Sequence, residues 1–146
     1  LPVGDNSYDA VVISFVLTSI ISPDAQQHAA KEIRRILKPE GILWLNEPLI
    51  SADYATRYEL SKPFLGHEHD FFVFKTGISS SSITNTEQLQ RAMTEGAITR
   101  VAHHFRWEEL RDLFSDYRLL SRTDAKTQSP HTKTNIEMVT AVFQKT

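Results

Sequence analysis

The sequence predicts an α/β fold built on a strand–helix–strand unit with parallel strands, and three observations predict it. Residues 8–14, "YDAVVIS", form a short β-branched run that follows the turn formers Asp5, Asn6 and Ser7. Next, residues 25–37 place Ala25, Ala29, Ala30, Ile33, Ile36 and Leu37 on one helical stripe, with Lys31, Glu32, Arg34 and Arg35 largely outside it. A second apolar run, residues 42–45, then ends at Asn46-Glu47-Pro48.

Each join has its own signal. Ser22-Pro23-Asp24 supplies an N-cap, a proline at the first helical position and an acid near the positive end of the helix dipole. Pro39 and Gly41 stop the helix. Tight joins of this kind make a βαβ unit, whose crossover should be right-handed. The first strand is apolar on both faces, as in a parallel sheet covered on both sides.

Beyond residue 49 the pattern loosens. Short helices are expected over 54–61 and 86–93, an aromatic strand or packed loop over 71–74, and a serine-rich exposed stretch over 78–84. More than fifty irregular residues inside one compact domain suit a lid or substrate cap, so 49–105 reads as an insertion. Order returns with a helix over 107–114 and strands over 117–125 and 136–144, a pair suited to antiparallel packing across a polar loop. All 146 residues fit one domain, without an internal repeat.

Composition narrows the function classes. Hydrophobic residues at 40% and charged residues at 23% are ordinary globular values. No apolar run approaches membrane-spanning length. The absence of cysteine excludes disulfides and thiolate chemistry and fits a reducing compartment, hence a cytoplasmic expectation. A net charge of −2 makes no electrostatic case for nucleic acid. Oligomeric state is left open.

Two stretches carry a family likeness. Leu1-Pro2, Asp5-Asn6-Ser7-Tyr8-Asp9 and residues 11–17 resemble the "LPF-x-D-x-S-F-D-x-V-x-S-x-x-L" segment of class I S-adenosylmethionine-dependent methyltransferases, type-11 group. "KEIRRILKPEGILWLNEP" is similar to that family's "E-I-x-R-V-L-K-P-G-G" helix, turn and strand. The resemblance implies a Rossmann-like methyltransferase sheet in which the visible strands are the fourth to seventh, the last pair antiparallel. It further implies that the first three strands, with the glycine-rich loop and ribose-binding acid, lie upstream of Leu1. Residues 1–146 would then be the C-terminal part of one methyltransferase domain, inactive alone. The expected reaction is methyl transfer from S-adenosylmethionine to a small-molecule acceptor. Another nucleotide-dependent α/β enzyme, such as an oxidoreductase, and a non-catalytic binding domain are the alternatives.

Site residues follow from the carboxyl ends of the strands, where open α/β sheets bind ligands. Ser14 closes the first strand and matches the family position that touches the cofactor. Phe15 follows it, and the resemblance adds Leu1 and Pro2 to the cofactor contacts. Glu47 closes the second strand; it either orients or deprotonates the acceptor, or pairs with Arg57 or caps a local turn. His103 and His104 stand where a lid would hinge, as a base or as a structural pair. His67 and His69 in "GHEHD" invite a metal, but a site needs a third fixed ligand, and no metal is assigned. The family often carries histidines where this chain has Thr18-Ser19, and its "K-P-G-G" turn is Lys38-Pro39-Glu40-Gly41 here. A type I turn would accommodate Glu40.

Overall fold

The computed structural model describes residues 2–65, 70–74, 82–128 and 135–146. The serine-rich stretch, apart from its last residues, and the His67 and His69 pair lie outside them.

The predicted βαβ unit is present. Strand β1 (Tyr8–Ser14) leads through a 3-10 turn (Leu17–Ser19) into helix α1 (Pro23–Ile36) and strand β2 (Leu37–Leu49). The Ser22 side chain accepts a bond from the Ala25 N–H, which satisfies one of the helix's orphan donors. β1 and β2 pair in parallel, Val11 opposite Leu43 and Ile13 opposite Leu45. Early in β2, where its pairing with β1 shifts register between Leu37 and Ile42, Glu40 sits at φ 62°, in the left-handed region. Instead of a type I turn, the Lys38-Pro39-Glu40-Gly41 stretch is an irregularity within the strand, and its third residue takes a conformation that glycine adopts freely and glutamate does not.

Later elements are helix α2 (Ala52–Leu65), strand β3 (Asp70–Phe74), helix α3 (Thr86–Thr94), strand β4 (Ile98–His103), helix α4 (Trp107–Leu113) and strands β5 (Tyr117–Gln128) and β6 (Asn135–Lys145). The main sheet runs β1-β2-β6-β5, with β6 antiparallel to both neighbours; β3 and β4 form a separate antiparallel pair. Strand β4 was not anticipated. Its sequence lacks a clean alternation, and it exists through its long-range pairing with β3.

The larger of two cores among the described residues packs the main sheet against α1 and α4. Ile13, Leu43, Leu45, Val139, Ala141 and Phe143 project from the sheet onto Ala30 and Ile33 of α1 and Leu110 of α4. Phe143 meets the rings of Phe114, Tyr117 and Trp107. The opposite face carries Val12, Trp44 and Val142 in one row. Val12 is 67% exposed. The expectation that β1 is covered on both sides is therefore corrected: among the described residues its core-facing side chains are covered, while Val12 and Tyr8 stand open.

Candidate functional site at the carboxyl edge of the sheet

The carboxyl ends of β1 and β2 lie side by side, with Ser14 opposite Asn46. The Asn46 side-chain amide donates from Nδ2 to the Ser14 hydroxyl at 3.2 Å, and the Thr140 hydroxyl of β6 donates to Asn46 Oδ1 at 3.2 Å. Ser14 is exposed, so its hydroxyl is oriented yet open to a ligand. Asn46 and Thr140 were not singled out in the sequence. Their signal is positional: they share a row across the sheet that only the register reveals.

Phe15 follows at φ 54°, a left-handed conformation that costs a bulky residue about 1–2 kcal/mol. The turn turns the ring outward, leaving it 47% exposed beside Ser14. Its amide donates to the Asn46 carbonyl at 3.0 Å. Pro2 is exposed, and Leu1 lies outside the described residues.

Glu47 has no exposed surface. One carboxylate oxygen accepts the amides of Val16 and Leu17, each at 2.9 Å, and the other accepts the Thr18 amide at 3.1 Å. Burial pushes its pKa up to about 6, against the pull of these three bonds. Its oxygens are committed to the backbone of the turn after β1.

The same turn reaches the second sheet. The Thr18 hydroxyl donates to the backbone carbonyl of His103 at 2.7 Å. Just beyond, Phe105 bridges to Leu49: the Ile50 amide donates to its carbonyl, and its own amide donates to the Pro48 carbonyl. This bridge brings β4 against the carboxyl end of β2.

His103 is buried, with Nδ1 donating to Asp70 Oδ1 at 2.8 Å, its ring edge-on to Phe105 and Nε2 3.8 Å from Glu109 Oε1. Asp70 is fully buried, and its backbone carbonyl accepts from the Ser61 hydroxyl. Asp70 was seen in the sequence only as part of the "GHEHD" cluster; its partner is 33 residues away. His104 is buried against the Tyr54 ring, centroids 4.8 Å apart. Burial lowers its pKa to about 3, helped by the neighbouring His103 and opposed by its bond to the Leu49 backbone. His103 and His104 thus occupy different environments, one beside a carboxylate and one in an aromatic pocket. Among the described residues no three histidines or carboxylates gather as a metal site, and no helix is long and apolar enough to cross a membrane.

Comparison with known proteins places this geometry. Residues 1–45 match the family model "Methyltransferase domain". A 46-residue stretch is 41% identical to the tRNA N(3)-cytidine methyltransferase METTL2 of Bos taurus, covering 32% of this chain and 12% of that protein. In structure, the chain resembles a SAM-dependent methyltransferase from Methanosarcina mazei, with TM-score 0.78 and 23% identity over 99% of this chain and 62% of that one. It also resembles the 1,6-didemethyltoxoflavin-N1-methyltransferase of Burkholderia thailandensis, with TM-score 0.55 and 12% identity over 98% and 46% of the two chains. The chain thus spans less than two thirds of each of these proteins. Over its first 45 residues the chain thus matches a methyltransferase domain, and over nearly its whole length it has the fold of S-adenosylmethionine-dependent methyltransferases of known structure.

Proposed function

We propose that the protein transfers a methyl group from S-adenosylmethionine to a small-molecule acceptor in the cytoplasm. The observation that carries this reading is the oriented, exposed Ser14 hydroxyl beside the outward-turned Phe15, at the carboxyl edge of the strand that holds the family motif. These residues fit the cofactor: a hydroxyl for a polar group, and an open aromatic face for a planar base or a sulfonium cation. When bound, the cofactor supplies a methyl group already activated by the positive charge on sulfur.

The chain's own residues then hold the acceptor, exclude water and take up a proton. Segment 49–105 serves as the substrate cap, formed by the antiparallel β3–β4 pair with α2 and α3. His103 is the candidate proton acceptor. A carboxylate can only accept, so Asp70 holds the ring proton on Nδ1 and leaves Nε2 as the basic atom of the neutral imidazole. His104, kept neutral by its apolar pocket, shapes the cap wall.

A nucleic-acid acceptor is the second reading, favoured by the likeness to a tRNA methyltransferase. The net charge of −2 weighs against it, because phosphate backbones are bound through clustered Lys and Arg.

Calorimetric titration of S-adenosylmethionine tests the reading, using this chain and the chain extended by the coding sequence upstream of Leu1. Binding by either supports it, and binding by neither overturns it. Methyl-labelled cofactor offered with tRNA or with a metabolite extract then separates the two acceptors.

A further inference from the structure

We infer that Glu47 is a positioning residue: its ionised carboxylate sets the loop 15–18 in the shape that presents Ser14 and Phe15 to the cofactor. The inference rests on the functional reading above for the identity of the ligand, and on geometry for the rest.

Three consecutive amides, of Val16, Leu17 and Thr18, converge on one carboxylate at 2.9, 2.9 and 3.1 Å. Consecutive N–H groups aimed at one point form an anion-binding concavity, and here the anion is the protein's own. A deprotonated carboxyl accepts from all three at full strength, whereas protonation makes one oxygen a donor and weakens it as an acceptor. Next to this loop, Phe15 holds a left-handed conformation that no glycine relieves. Such conformations persist where the surroundings over-determine them, and the Glu47 bonds together with the Phe15 amide's bond to Asn46 do so. The hold extends further, since Thr18 also bonds the His103 carbonyl and joins the loop to the β3–β4 pair.

No charged side chain appears among the influences on Glu47; burial and the three amides account for its raised pKa. The turn itself, residues 15–19, contains no titratable group, nor do the β6 residues Met138, Val139 and Thr140 that face this end of β2. From β4 and its extension the titratable groups nearby are His103, bonded to the loop through its carbonyl, and His104, bonded to the Leu49 backbone. Asp70 and Glu109 face His103.

The experiment is amide NMR with a binding arm. In the wild-type protein the Val16, Leu17 and Thr18 amide resonances should shift together as pH falls through about 6, the range in which Glu47 takes up its proton. In Glu47→Gln that joint titration should vanish, and exchange protection at the three amides should fall at least tenfold. Cofactor Kd should rise about tenfold in the variant, with kcat at saturating cofactor changed far less. Amides that titrate in Glu47→Gln as in wild type overturn the inference, and so does an unchanged cofactor Kd. Should the variant not fold, the wild-type titration decides alone: three amides that ignore pH between 7 and 5 overturn the clamp. A wild-type protein that binds no S-adenosylmethionine overturns the functional reading, while the amide measurement still judges the clamp.

Discussion

His103 and Asp70 are joined by a 2.8 Å hydrogen bond in which the aspartate has no exposed surface and the histidine ring is almost as deeply enclosed. The pair links β4 to the first residue of β3 and fixes which ring nitrogen carries the proton. Asp70→Asn keeps the shape but no longer demands a proton on Nδ1. In the methyl-transfer assay we expect turnover to fall by about 10²–10⁴-fold, the range that general-base catalysis contributes, with the acceptor KM little changed. A turnover within twofold of wild type would remove His103 from the chemistry.

The two elements whose readings differed most, β1 and β4, show what a sequence can carry. Periodicity placed β1, α1, α4, β5 and β6 within a few residues, because each has its own local stripe and turn residues, while β2 starts at Leu37, five residues before the expected run and at a residue read as helical. Strand β4 has no such stripe; its order comes from β3 across the chain. The site divides likewise. Ser14 and Glu47 were legible as strand ends, since the strands were legible. Asn46, Thr140, Thr18 and Asp70 act through partners 30 or more residues distant, as in the Thr18–His103 bond at a separation of 85. No spacing rule reveals such pairs.

Glu40 and Gly41 give opposite predictions from adjacent positions. At φ 62°, Glu40 pays a left-handed penalty, so Glu40→Gly should raise stability by about 0.5–1 kcal/mol in urea unfolding, after the entropy lost by glycine is set against it. A Cβ on Gly41 would meet the Lys38 carbonyl at 2.8 Å and the Leu37 side chain at 3.0 Å. Gly41→Ala should therefore destabilise by about 1–3 kcal/mol, an overpacking cost. If both variants move stability in the same direction, the backbone of this stretch differs from the one described.

Val12, open on the face away from α1 and α4, belongs to a strand at the edge of the sheet. An exposed apolar edge strand is a template for pairing with another copy. Sedimentation of this chain should show association that grows with concentration, and Val12→Lys should return it toward monomer. A chain that stays monomeric across the concentration range removes β1 as an association site.

Two buried groups oppose one another as acid is added. The pKa of His104 falls from 6.5 in an open chain to about 3 in the fold, so below pH 6.5 the unfolded state binds a proton that the native state refuses. Stability should then drop with falling pH, by up to about 5 kcal/mol by pH 3 if nothing intervenes. Glu47 runs the other way. Its pKa rises from 4.5 to about 6, so between these values the native state binds the extra proton, and stability grows as pH falls through that window by about 2 kcal/mol. Between pH 6 and 4.5 the slopes cancel, and the wild-type Tm should be nearly flat before it falls more steeply. In Glu47→Gln the flat window should disappear, with Tm declining continuously from pH 6.5 downward. In His104→Leu the sign should reverse, with Tm rising as pH goes from 6 to 4.5. Exposed ion pairs such as Lys38–Asp9 add little to either slope. Thermal melts of the three proteins at half-unit pH steps check all of this, and a flat window that survives in Glu47→Gln would place the compensating proton elsewhere.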